Sequence, residues 1–247
     1  MQITTMGLVL RATKTGESDR VLSLLTPDLG VVSAIAKGSL RLKSKLFSAT
    51  GLFCYAEFTL FEGKSMYVVD EAEIQEVFFG LHEDIEAMAL AMYLSEFTAT
   101  LSPTGEEAAQ QLRLLLNTLY LLSRKKRMPR FLKTVFELRT LCRSGFMPDI
   151  VACADCAAYD AQTFCFDAAS AQILCESCAA KQGIACNLDR AAVNGMRHIA
   201  YAEDDALFNF ALTENSLMQL SCVVEYYAAL CLDKPLKSLG FLKTVLS

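Results

Sequence analysis

The hydrophobic period of this chain changes at Gly80, and that change divides it into two kinds of structure. From Ile3 to Phe79 apolar residues recur at every second position, the spacing that puts one side of an extended chain on a core. Five runs carry it: the alternation Thr4-Met6-Leu8-Leu10, then Val21 to Leu25, Val31 to Ala36, Leu52 to Phe61 and Met66 to Val77. Turn chemistry separates them, at Thr15-Gly16-Glu17, Pro27-Asp28-Leu29-Gly30 and Glu62-Gly63-Lys64. In the fourth run Leu52, Cys54, Ala56, Phe58 and Leu60 share one face. Phe53, Tyr55, Thr59 and Phe61 give the other an apolar share too, which fits a small closed barrel better than an open sheet.

After Gly80 the period becomes that of a helix. Ile85, Met88, Ala89, Met92, Tyr93 and Phe97 form one stripe that stops before Pro103, and Leu112, Leu115, Leu116, Leu119, Tyr120 and Leu122 form a second. Pro129 opens a third helix through Phe131, Val135, Phe136, Leu138 and Leu141, and Gly145 caps it. Helical spacing returns at Val193, Met196, Ile199 and Ala200, then from Leu217 to Leu232, with a short last segment from Pro235 to Leu246. The expected class is α+β, with a barrel over residues 1–80 and an all-α region over 81–247. A loop-rich insertion over 149–183 interrupts the helices.

That insertion carries the sharpest chemical signal. Cys153-x-x-Cys156 and Cys175-x-x-Cys178 are separated by eighteen residues, the spacing of paired zinc knuckles. Four thiolates close a tetrahedral site with no open position, so such a centre stabilises and does not catalyse. Cys165 and Cys186 lie near enough in sequence to leave their roles open, whereas Cys54, Cys142, Cys222 and Cys231 sit in apolar periodic runs as small core residues. The chain has no uncharged run of 18 apolar residues, and Met1 to Leu10 lacks the basic region and cleavage site of a signal peptide. A cytoplasmic location, no membrane association and metal-binding rather than disulfide-bonded cysteines are therefore expected.

A net charge of −5 argues on its own against a nucleic-acid partner, but the charge is unevenly placed. Residues 36–45 contain Lys37, Arg41, Lys43 and Lys45 and no acid, on the loop after the third strand. No Asp or Glu lies between Glu107 and Glu137, an interval that holds Arg113, Arg124, Lys125, Lys126, Arg127, Arg130 and Lys133. Such stretches fit a phosphate-tracking surface of low sequence preference, with Phe47, Phe53, Tyr55 and Tyr67 available for stacking on bases. With two distant histidines and no phosphate-binding glycine loop, nothing resembles a catalytic constellation, so an enzyme is not expected.

The order of features resembles the bacterial RecO family of recombination mediators. Five stretches carry the likeness: Gly7-Leu8-Val9-Leu10-Arg11; Gly16-Glu17-Ser18-Asp19-Arg20 with Val21 to Thr26; Lys37-Gly38 with Arg41, Lys43 and Ser44; Phe79-Gly80-Leu81-His82-Glu83-Asp84; and the cysteine ribbon after Phe136-Glu137-Leu138-Arg139. It ends in Leu236-Lys237-Ser238-Leu239 and so spans nearly the whole chain. The resemblance implies an OB-fold at the N-terminus, a helical domain, and a zinc ribbon inserted in it. It further implies binding of single- and double-stranded DNA, annealing of complementary strands, and association with RecR. Engagement of single-stranded DNA-binding protein, so that the RecA recombinase can load, belongs to the same picture. The family's basic loop maps to Lys37, Arg41, Lys43 and Lys45, with Arg11, Lys14 and Arg20 as further DNA candidates, in a protein expected to be a monomer on its own. The other reading of the sequence is a zinc-ribbon adaptor whose DNA contacts come mainly from its partners.

Overall fold

A computed structural model describes residues 1–102 and 105–246, so Pro103, expected to stop the first long helix, lies outside the described residues. The five alternating runs form β1 (Gln2–Thr15), β2 (Asp19–Thr26), β3 (Gly30–Ala36), β4 (Cys54–Phe61) and β5 (Tyr67–Val77). They close into a barrel in the order β1-β2-β3-β5-β4, with β4 paired back onto β1. Every pair is antiparallel except β3–β5, joined in parallel through Ala34↔Tyr67 and Ile35↔Val68. Closure covers most of the strand edges, the usual liability of a small sheet, although β3 and β5 meet through only these two pairs. Gly16 and Gly30 supply the positive φ that the first two turns need, 57° and 63°.

The alternation is realised in the core. Leu22, Leu24, Ala34, Ala36, Cys54, Ala56, Phe58 and Leu60 are all buried inside the barrel. Each buried Leu or Phe contributes about 1.5–3 kcal/mol, so this element has a core of its own. Burial pushes the Cys54 thiol up to about 11, which makes it an inert filler. The loop after β3 ends in a short helix, α1 (Leu46–Ala49), whose Leu46 and Ala49 face inward.

At Gly80, inside a 3₁₀ turn over Phe79–Leu81, a Cβ would stand 2.1 Å from the Ser123 carbonyl oxygen, so only glycine admits the approach. The chain then enters α2 (Ile85–Leu101), where the Asp84 carboxylate caps the first turn by accepting from the N–H groups of Glu86 and Ala87 at 3.0 and 3.2 Å. The expected stripe is only partly the buried face: Ile85 and Met92 are 65% and 41% exposed, while Leu90 and Leu94 are fully buried. This helix is apolar on nearly every side, so its period does not reveal which side packs. It is followed by α3 (Ala109–Ser123) and α4 (Pro129–Arg143). Pro129 opens α4 as expected, and Gly145 at φ 91° ends it, with the Phe146 N–H returning to the Leu141 carbonyl at 2.9 Å.

The rest of the chain runs β6 (Thr163–Asp167), β7 (Gln172–Cys175), α5 (Glu176–Lys181), β8 (Leu188–Asp189), α6 (Arg190–Tyr201), α7 (Glu214–Cys231) and α8 (Lys237–Leu246). Packing divides the molecule elsewhere than the change of period does. Met1–Lys126, with the C-terminal segment from Ser238, forms one compact unit, and Arg127–Lys237 forms another. The reason is local bonding. Gly105 and Ala108 donate backbone N–H groups to the Leu29 and Pro27 carbonyls at 2.9 and 2.7 Å, and Ser238 N–H donates to Glu96 at 2.8 Å. Residue 80 thus separates kinds of element, whereas the boundary between the compact units falls in the turn after α3.

In the second unit α4, α6 and α7 pack together. Lys133 on α4 is buried between Glu137 and Glu225, each at 2.8 Å. Among the described residues no helix is long and apolar enough to cross a membrane.

Candidate metal centre and candidate nucleic-acid interface

The cysteine insertion folds as two knuckles and a hairpin. The sheet runs β7-β6-β8, and Phe164↔Cys175 through Asp167↔Gln172 set the hairpin register. Its turn is held by the Asp167 carboxylate, which accepts from Ala169 N–H and Ser170 Oγ at 3.1 and 2.7 Å. In the first knuckle Cys153 N–H donates to the Ala158 carbonyl and Ala157 N–H to the Cys153 carbonyl, both at 2.9 Å. The second knuckle is the junction of β7 and α5: Cys175 is the residue before the helix and Cys178 lies in its first turn.

These turns bring the sulfurs of Cys153, Cys156, Cys175 and Cys178 within 4.8 Å of one another, with Cys156 and Cys175 at 3.6 Å. Tetrahedral sulfurs about 2.3 Å from a central ion stand about 3.8 Å apart, so the donor set fits a closed four-thiolate centre. Cys165 and Cys186 are not part of the group. Burial works against the Cys153 thiolate, but N–H groups of Cys175, Cys156 and Asp155 favour it, and the thiol is lowered to about 6. Cys178, hydrogen-bonded by the Cys156 and Cys175 thiols, is instead pushed up to about 12. Four crowded sulfurs do not all ionise without a cation among them.

The other cysteines divide. Cys54 is buried as expected and Cys142 and Cys231 are half-buried, but Cys222 is exposed. The apolar run of α7 spans both of its faces, with Met218 and Tyr226 also exposed, so apolar spacing there does not imply burial.

The basic loop sits at one end of the barrel. Register places Lys14 opposite Arg20, and Arg20 opposite Ala36, the residue before Lys37. Asp19 fixes the start of the loop by accepting from Gly38 N–H at 2.7 Å, and Leu40 N–H donates to the Ser18 carbonyl at 2.8 Å. Lys14, Lys37, Arg41, Lys43 and Lys45 are exposed around this end, and Arg11 is exposed farther along β1. Among the described residues none of the six has a carboxylate partner. Arg20 differs: its Nη1 donates to the Phe47 carbonyl at 2.8 Å and to Thr50 Oγ1 at 2.7 Å, and its guanidinium lies 5.3 Å from the centre of the Phe47 ring. It anchors α1 to β2. Of the four aromatics singled out in the sequence, Phe53 is buried and Tyr55 and Tyr67 are half-buried, which leaves Phe47 as the exposed one.

The second basic stretch is largely engaged. Lys125 pairs with Asp84 at 2.8 Å, Lys126 meets the Tyr120 hydroxyl at 3.2 Å, Arg127 donates to the Phe208 carbonyl at 2.7 Å, and Lys133 is the buried partner of two glutamates. Arg124 and Arg130 are exposed outside these contacts. Acids collect on β5, the strand that packs against α1. Asp70, Glu71, Glu73 and Glu76 are exposed on β5, and Glu57 on β4 stands opposite Glu73. The sequence carries this signal as Asp70-Glu71-x-Glu73-x-x-Glu76, but net charge alone hides it.

Comparison with known proteins gives one answer along the chain. Residues 1–78 match the family model for Recombination protein O N terminal, and residues 82–240 that for Recombination protein O C terminal. The chain is 32% identical to a DNA repair protein RecO of Acetivibrio thermocellus over 241 residues, 98% of this chain and 96% of that one. It is 33% identical to that of Alkaliphilus metalliredigens over 178 residues, 72% of each. It is also 31% identical to that of Dehalococcoides mccartyi over 243 residues, 98% and 95% of the two chains.

Proposed function

This chain belongs to the RecO family of DNA repair and recombination proteins, and on that footing we propose that it is a non-enzymatic mediator that binds single- and double-stranded DNA and anneals complementary strands. It helps load the RecA recombinase on DNA coated by single-stranded DNA-binding protein, with RecR as a partner, and acts in the cytoplasm at the nucleoid as a monomer on its own. The observation that carries the reading is the set of exposed cations on the loop after β3 and on β1, Lys37, Arg41, Lys43, Lys45, Lys14 and Arg11, none with a carboxylate partner among the described residues, with Phe47 exposed where that loop ends in α1. The barrel, residues 1–80, is read as an OB-fold because its strand order and closure match that architecture.

The chemistry follows from what such a surface recognises. Lys14, Lys37, Arg41, Lys43, Lys45 and Arg11 meet phosphates and release counterions, and Phe47 stacks on a base. Contacts to the backbone leave the pairing edges of the bases free, while neutralised phosphates lower the repulsion that keeps two strands apart. Annealing needs both conditions. The ribbon, residues 149–183, holds zinc through Cys153, Cys156, Cys175 and Cys178, and the ion orders a segment with little core of its own.

A second reading, an adaptor whose DNA contacts come from partners, draws on the net charge of −5 and on the internal engagement of much of the second basic stretch. The test is annealing of complementary oligonucleotides already coated with single-stranded DNA-binding protein. Faster pairing in the presence of this protein is expected. An unchanged rate, together with no retention on heparin, would favour the adaptor.

A further inference from the structure

We propose that Arg197, on α6, is the positioning residue of the metal centre and sets how tightly the four cysteines hold their ion. This rests on reading those cysteines as a metal site. Arg197 is 8% exposed and lies outside the insertion, yet it grips both flanks of the first knuckle. Its Nε donates to the Ile150 carbonyl and its Nη2 to the Tyr159 carbonyl, both at 2.8 Å. Ile150 precedes Cys153 by three residues and Tyr159 follows Cys156 by three, so one planar cation brackets both ligands. Asn194 orients it through Nη1 at 3.2 Å, and its guanidinium lies 4.2 Å from the Tyr159 ring centre and 5.6 Å from that of Phe164.

The two knuckles do not need this support equally. Cys175 and Cys178 are fixed by a strand end and a helical turn, whatever occupies the site. Cys153 and Cys156 lie in irregular chain that includes Ala157 at φ 57°, a conformation a residue with a Cβ rarely adopts unless its surroundings enforce it. Without the bracket, the metal would have to order this segment as it binds, and affinity would fall by that cost. Charge points the same way. Among the described residues Arg197 forms no salt bridge, and a buried guanidinium without a counter-ion is expensive. A divalent ion with four thiolates would be a dianion, a counter-charge for the guanidinium that bonds the chain on both sides of the first knuckle.

The test uses the full chain with Arg197→Met, which keeps the apolar stem and removes donors and charge, and Arg197→Lys, which keeps the charge and reaches one carbonyl. Zinc affinity is measured by competition with a chromophoric chelator, and the ligand set by the sulfur-to-metal absorption of the cobalt-loaded protein. Arg197→Met should bind zinc about 10- to 100-fold more weakly with unchanged cobalt absorption at saturation, and Arg197→Lys should recover part of the loss. An ordinary structural role would lower the unfolding temperature of the loaded protein while leaving affinity at the wild-type value, and that outcome overturns the proposal. Should Arg197→Met fail to fold, Arg197→Lys alone decides: reduced affinity supports the bracket and wild-type affinity overturns it. A wild-type chain that takes up no metal would remove the metal reading as well, whereas wild-type binding with indifferent variants removes only the role of Arg197.

Discussion

The two basic stretches look alike in the sequence and differ in the folded chain. In the loop after β3, Lys37, Arg41, Lys43 and Lys45 form no salt bridge among the described residues, and the nearby Asp19 uses its carboxylate on the Gly38 N–H. In the stretch around α3 and α4, Lys125, Lys126, Arg127 and Lys133 each have an internal partner, and Lys133 is a buried ion rather than a surface charge. A run without acids therefore says little about nucleic acid until the acids elsewhere in the chain are accounted for. Asp84, Glu137 and Glu225 come from outside the run whose cations they neutralise.

The comparison breaks most sharply at Lys133. Lys133→Met removes the cation that Glu137, which is fully buried, pairs with, and should destabilise the second unit by about 3–5 kcal/mol in chemical denaturation while the folded variant binds DNA as wild type does. The reverse result, normal stability with weak DNA binding, would erase the distinction between the stretches. Reversing Lys37, Arg41 and Lys43 together to Glu should weaken binding of single and double strands and make the salt slope on single strands shallower by about 0.7 for each phosphate no longer neutralised, with unfolding unchanged. Phe47→Ala should cost about 1–3 kcal/mol on single strands and nothing on duplex. The chain has no tryptophan, so Phe47→Trp provides a single reporter whose emission should change on binding an oligonucleotide. The smallest effect belongs to Lys125→Ala. DNA affinity should not change, and the Asp84 carboxyl, held low first by the Lys125 hydrogen bond and then by the Ala87 N–H, should move back up toward its ordinary value in an NMR titration.

Much of this was legible in the sequence because the signals are local. Period two with Gly16 and Gly30 in the turns gives the barrel strands, Pro129 and Gly145 bound α4, and the cysteine spacing gives the four converging sulfurs. What was not legible depends on contacts between distant residues. Arg20 reads as a free cation until Phe47 and Thr50 come back to it, and Arg197 carries no signal until Ile150 and Tyr159 reach it. The buried side of α2 is hidden for another reason: a helix apolar all round offers no contrast for a period to detect.

A nucleic-acid surface at the loop end of the barrel is tested by binding of a fluorescent single-stranded oligonucleotide across a salt series. Binding should weaken with salt at a log–log slope of about −0.7 per phosphate contacted. No binding at low salt, or binding indifferent to salt, would contradict it.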